Sequence, residues 1–227
     1  MSDQRNFFQR ALFSSFLSKK TDGGKIAYLA VCAAFIVVAN TLLEFRMFET
    51  QISVTFFVST VAGVILGGLS GFAACFLGDL LGFFINSWGM TYMFWVGLST
   101  ATVALIAGWT FTFFRPKIKG LVFVQSAIVC VLSFIVCTVA ISSTGFYFYN
   151  RVMGFSTAVM DYVALKFGGE VTYFAYVVYR LFFKLQILVN VLNSVLIFLA
   201  LPLLKTRLKA VFDDEEEKTK EKNPKNS

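Results

Sequence analysis

The chain contains no histidine. That absence removes the commonest metal ligand and the commonest general base together, and with them the H-E-x-x-H zinc proteases and the Ser-His proteases. Acids are almost missing from the apolar stretches, where Asp79 stands alone while Asp161 falls in an outer loop. An aspartyl membrane protease, which needs two facing carboxylates, therefore has only one. A phosphate loop is lacking too: Gly23-Gly24-Lys25 is followed by Ile26 where Ser or Thr is required. Any ATP that drives this protein is hydrolysed by another chain. The four cysteines, Cys32, Cys75, Cys130 and Cys137, match no zinc or redox spacing and read as small apolar fillers. No metal site and no cofactor is expected, and the chain does not read as an enzyme.

Charge is scarce as well. Only 15% of the residues ionise, while 57% are hydrophobic, against about 25% charged in an ordinary soluble domain. The apolar residues fall in blocks too long for core helices, so the solvent that buries them is a bilayer. Six spans are expected, near Lys25–Leu43, Ile52–Leu66, Gly71–Asn86, Met93–Phe114, Gly120–Ile141 and Arg180–Leu204. The second and third are short and are joined by the tight uncharged turn Gly67-Gly68-Leu69-Ser70-Gly71, which predicts a close-packed hairpin.

The net charge of +7 is carried at the edges of these blocks rather than on a nucleic-acid face. Arg5, Arg10, Lys19, Lys20 and Lys25 precede the first span; Arg115, Lys117 and Lys119 separate the fourth from the fifth; Lys205, Arg207 and Lys209 follow the last. With six spans all three groups share one side, which the positive-inside rule makes cytoplasmic. Both termini are then cytoplasmic. Residues 1–24 form an N-terminal segment whose Phe8, Leu12, Phe13, Phe16 and Leu17 share a helical face, an amphipathic helix lying on the inner membrane surface. Residues 25–204 form the all-α membrane domain, and 205–227 a charged tail. The long connection Ser142–Tyr179 holds a second amphipathic stretch, Phe155 to Phe167, placed to lie over the outer mouth.

Inside a membrane the informative residues are the polar ones. Asp79 sits near the middle of the third span, where it ties helices together, binds ligand or takes part in a proton path. Arg180 and Lys184, four apart, are expected on one face at the outer end of the last span, where they would hold an anionic ligand or snorkel to headgroups. Arg46 adds a third outer cation. Gln186, Asn190 and Asn193 form a separate amide stripe that reads as interhelical hydrogen bonding. The outer loops carry Trp88, Tyr92, Trp95, Phe146, Tyr147, Phe148 and Tyr149, which suit either an interface belt or stacking on a flat ring. Small residues spaced by four, Ala30/Ala34, Gly67/Gly71 and Gly78/Gly82, mark close helix contacts.

These residues resemble a known family. The run VTFFVSTVAGVILGGLSGFAACFLGDLLGFFINSWGMTYMFWVGLSTATVALIAGW is similar to the second-to-fourth helix region of the substrate-binding S components of energy-coupling factor (ECF) transporters, with Gly67 through Asn86 resembling the folate type most. YRLFFKLQILVN resembles the entry to that family's final helix. The resemblance implies six spans in the bacterial cytoplasmic membrane and capture of a vitamin, folate or a related micronutrient, at the outer face. It implies delivery inward by toppling, together with a transmembrane coupling protein and two cytoplasmic ATPases. The implied substrate residues are Arg46, Asp79, Asn86, Trp88, Tyr147, Arg180 and Lys184, and the implied partner contact is Ala30 and Ala34. The alternatives are another vitamin, a purine- or pterin-like precursor, or a structural subunit that binds no small molecule.

Overall fold

The structure, a computed structural model, describes residues 7–47, 50–87, 91–114 and 120–207. Two short helices, α1 (Phe7–Leu12) and α2 (Ser15–Ser18), lead into α3 (Asp22–Thr41). An antiparallel hairpin follows, β1 (Glu44–Met47) and β2 (Thr50–Ser53), and then α4 (Thr55–Leu66), α5 (Gly68–Ile85) and α6 (Phe94–Phe113). The fifth span is α7 (Leu121–Ser133), a first π segment (Phe134–Ser143) and α8 (Thr144–Met153). After α9 (Thr157–Phe167) come α10 (Tyr173–Val178), a second π segment (Tyr179–Phe183) and α11 (Gln186–Arg207). This is an all-α integral membrane protein in which the hairpin is the one sheet among the described residues.

Five helices, Asp22–Thr41, Gly68–Ile85, Phe94–Phe113, Leu121–Met153 and Gln186–Leu204, are long and apolar enough to cross a bilayer. The expected second span differs. Ile52 and Ser53 belong to β2, and α4 has 12 residues, about 18 Å of helix against about 30 Å of hydrocarbon. It is a half-helix. Its first backbone donors, which a helix cannot satisfy itself, are taken up from outside. Thr55 N donates to Ser53 Oγ at 3.0 Å, and Phe57 N to Asn193 Oδ1 of α11 at 3.0 Å. Asn193 Nδ2 in turn donates to Ser53 O at 2.8 Å. Asn193 lies about 17 Å of helix from Leu204, so α4 starts against the middle of the last helix rather than at its end.

The α4–α5 turn depends on glycine. Gly67 has φ +101°, a conformation that L side chains rarely adopt, and a Cβ there would meet the passing backbone of Phe13 and Ser14. Across the hairpin, a Cβ at Gly63 would collide with the Ala104 carbonyl, and one at Gly78 would lie 2.7 Å from Ala33 O. Small residues thus let α4, α5 and α6 touch and seat α5 against α3, around a core of Ile36, Leu66, Cys75, Ala101 and Ala104. A second core joins α4, α6, α7 and α11 through Ala107, Val129, Ile197 and Leu201.

The N-terminal segment is not one helix on the membrane surface. It breaks at Phe13–Ser14 and clamps the cytoplasmic end of the bundle. Ser14 N donates to Leu66 O at 2.9 Å, Ser14 Oγ to Ile65 O, Ser70 Oγ to Leu12 O at 2.7 Å and Trp109 Nε1 to Ala11 O at 3.2 Å. The orphan carbonyls at the end of α4 are the reason: Ser14 caps them from another element. Leu17 is buried, while Phe7 and Phe8 stay exposed.

Candidate functional site

The outer end of the molecule is an aromatic assembly around one buried arginine. The connection expected between the fifth and sixth spans is largely helix. The fifth span runs unbroken for 33 residues, about 50 Å, so α8 stands beyond the hydrocarbon. The helical segment that holds Arg180 starts at Tyr173, ahead of the apolar span Gln186–Leu204. Arg180 is consequently about 10 Å inside that helical segment and only 7% exposed. Its guanidinium donates to Ser142 Oγ from Nη1 and Nη2 at 3.3 and 3.2 Å, and to Ser143 Oγ at 3.3 Å. It also lies 4.3 Å from the centre of the Phe146 ring, a cation–π distance. Serines and a ring hold this charge, with no carboxylate paired to it among the described residues.

The two stretches that meet at Arg180 include two π segments. In the first, Ser143 Oγ donates to Thr138 O, five residues back, at 2.8 Å; in the second, Lys184 N donates to Tyr179 O at 3.1 Å. Arg180 lies within the second π segment and Lys184 ends it. Lys184 closes the second π segment with its ammonium 6.0 Å from the Tyr179 ring, and Leu185 beside it takes φ +49°. The chain kinks between this segment and α11.

Rings surround Arg180. Tyr147 contacts Phe155, Tyr173 and Tyr176 at 5.9, 5.5 and 5.7 Å between centroids, and Trp95 contacts Phe146 and Tyr149 at 5.8 Å each. Tyr176, Tyr179, Val159, Val163 and Ala175 form a third core, separate from the two in the bundle. Asn150 Nδ2 donates to Tyr176 Oη at 2.9 Å, tying α8 to α10. Most of the stretch Phe155–Phe167 is α9, whose Val159 and Val163 pack with these rings.

Asp79 belongs to a different group, in the belt that caps α4. It lies about 17 Å of helix from Gly68, level with Asn193, and is 6% exposed. Asn40 Nδ2 donates to its Oδ1 at 2.9 Å, and Tyr92 Oη to its Oδ2 at 3.3 Å. Asn40 Oδ1 accepts from Thr55 Oγ1 at 2.8 Å, and Thr55 contacts Ser53. Burial first, and then the Asp79 carboxylate, push the Tyr92 phenol up to about 12, so it stays a donor at neutral pH. The belt therefore joins α3, α5, the α5–α6 connection, α4 and α11 through side-chain hydrogen bonds. Asn193 and Asn190 act as the amide stripe was read: Asn190 Oδ1 accepts from Thr138 Oγ1 at 3.2 Å.

Of the expected site residues, Tyr147 and Arg180 come together, with Lys184 at the margin. Asp79 stands apart. Asn86 ends α5, its N–H bonded to Gly82 O at 3.0 Å. The backbone of Arg46 pairs with Gln51 in the hairpin; its side chain, like Trp88, lies outside the described residues. Sequence reading missed Asn40, Ser142, Ser143, Tyr176 and Tyr179. Asn40 alone had a signal, an amide within an apolar span. Ala30 and Ala34 lie on an exposed face of α3 with Val31, Phe35 and Val38.

The described residues form a helical membrane bundle with a cluster of aromatic rings at one end. The profile of the family described as ECF-type riboflavin transporter, S component, matches residues 21–178, and the chain belongs to that family. It is thus a substrate-binding subunit of an ECF transporter, a multi-pass protein of the cell membrane, and the family is one of transporter components rather than enzymes. The match bears out the expected S component, and its family is named for riboflavin rather than for folate. No curated protein matches the chain.

Proposed function

We propose that this subunit captures riboflavin, or a closely similar flat heterocycle, in the outer aromatic assembly and passes it to an ECF coupling protein driven by two ATPases. The observation that carries the reading is Arg180, a buried guanidinium framed by Ser142, Ser143 and the Phe146 ring. A flat ring system inserts between aromatic faces at the offset and edge geometries those rings already adopt. The guanidinium then offers donors to carbonyl or hydroxyl oxygens without competition from a protein carboxylate. A dicarboxylate such as folate asks for paired cations, whereas the Arg180 guanidinium is framed by hydroxyls and a ring. A neutral, hydroxyl-rich ligand with ring carbonyls fits one guanidinium better. The matched family favours the same substrate. The exposed Ala30/Ala34 face of α3 supports docking of the coupling protein, because small side chains let a partner helix approach closely.

Calorimetric titration of the ligand-stripped protein in detergent, with riboflavin, its 5′-phosphate, folate and other vitamins, tests this. Tight binding of riboflavin and none of folate is the expected result. Tight folate binding without riboflavin overturns the substrate and returns the folate type. A folded protein silent across the panel points to a subunit that binds no small molecule.

A further inference from the structure

Trp95, the second residue of α6, has a buried indole Nε1 with no hydrogen-bond partner among the described residues. Indole nitrogen is only a donor, and a buried donor left unpaired needs an explanation. Trp109, at the opposite end of the same helix, shows the ordinary solution, donating to Ala11 O at 3.2 Å. The other unpaired buried groups include the hydroxyls of Ser59, Ser126 and Ser133. A helical serine can rotate its hydroxyl onto a carbonyl one turn back; an indole cannot.

The position of Trp95 matters as much as its donor. The ring is held by Phe94 at 5.3 Å and by Phe146 and Tyr149 at 5.8 Å. It lies so close to Gly145 that a Cβ there would come within 2.6 Å of the indole Cδ2. Arg180 grips Ser142, Ser143 and Phe146 of the same turn. The Trp95 ring and the Arg180 guanidinium, from two different helical segments, therefore both lie against the stretch Ser142–Phe146. We propose that Trp95 is a specificity-determining residue of the binding site, its indole N–H donating to a carbonyl oxygen or ring nitrogen of the bound heterocycle. The inference rests on the function proposed above and assigns the neutral donor of that site. A ligand that presents an acceptor at its ring edge is then retained, and a ring of the same shape lacking it is rejected, because the indole stays unpaired.

The test uses the full chain in nanodiscs, labelled with 15N at the tryptophan indoles, and riboflavin as the probe. The Trp95 indole proton is expected at a position typical of an unbonded or ring-facing N–H, moving downfield when riboflavin is added, while the Trp109 signal stays. Trp95→Phe, which keeps an aromatic ring but removes the donor, is expected to weaken riboflavin binding by about ten- to a hundred-fold. Wild-type affinity in Trp95→Phe, or a Trp95 signal that riboflavin leaves in place, overturns the assignment. If the substitution prevents folding, the wild-type spectrum alone decides. Absence of riboflavin binding to the wild-type chain refutes the proposed substrate instead, so the two failures are distinguishable.

Discussion

Asn193 Oδ1 accepts the backbone N–H of Phe57 at 3.0 Å while its Nδ2 donates to Ser53 O at 2.8 Å. One side chain of α11 thus caps a helix that starts against the middle of α11 and holds the strand leading into it. Asn193→Leu leaves that N–H and carbonyl without partners in an apolar setting, where each lost bond costs about 1–3 kcal/mol. A fall in thermal midpoint in detergent is expected, larger than for Leu199→Ala on the exposed face of α11.

Asp79 separates a hydrogen-bonding role from a charged one. Asn at this position still accepts from Asn40 and can donate to the Tyr92 oxygen, so Asp79→Asn is expected to hold stability within about 1 kcal/mol. Asp79→Leu strands Asn40 Nδ2 and is expected to destabilise by about 1–3 kcal/mol. Equal and small effects of both changes in thermal melts would remove Asp79 from the belt's support. Unchanged stability with lost uptake in Asp79→Asn would assign the charge itself a transport role.

Arg180→Lys keeps the charge but loses the planar fork that reaches Ser142, Ser143 and a ligand together. A loss of riboflavin affinity of about ten-fold or more is expected, whereas Lys209→Glu, in the basic run after the last span, leaves binding as it was. Titration of the three proteins side by side reads this directly. Identical affinities would remove Arg180 from the site.

Ala30→Trp together with Ala34→Trp places two large rings on the exposed face of α3. Vitamin binding by the isolated subunit is expected to be unchanged, because neither residue contributes to the outer assembly. Co-purification with the coupling protein and ATPases, and uptake in proteoliposomes, are expected to be lost. Normal complex formation by the double variant would move the docking face elsewhere.

Much of the fold was legible because lipid imposes simple rules. A run of apolar residues with cations at its ends reads as a span with an orientation, and Gly67, Gly78 and Gly82 read as close contacts, since only small residues let backbones approach. Asn190 and Asn193 were legible as interhelical glue for the same reason: amides in an apolar span need partners. The half-helix was not. Ile52-Ser53 continues the apolar pattern of α4, and the helix start there depends on Ser53 Oγ and on Asn193, 136 residues beyond Phe57 in the chain. Nor was the N-terminal clamp, whose amphipathic pattern suits a membrane surface as well as the end of a bundle.

The site divides in the same way. Composition, hydropathy and the position of the cations determined on their own that this is a multi-pass membrane protein without histidine chemistry or a nucleotide site, with rings and cations toward its outer end. Those properties depend on the transfer of each residue between water and lipid and on local spacing. Which cation is buried, which rings frame it and which acid is set apart was decided only by tertiary structure. Arg180 lies against Ser142, Ser143 and Phe146, while Lys184 caps the second π segment. The serine contacts join residues 38 and 37 positions apart, and spacing along one helix cannot specify a contact made between two.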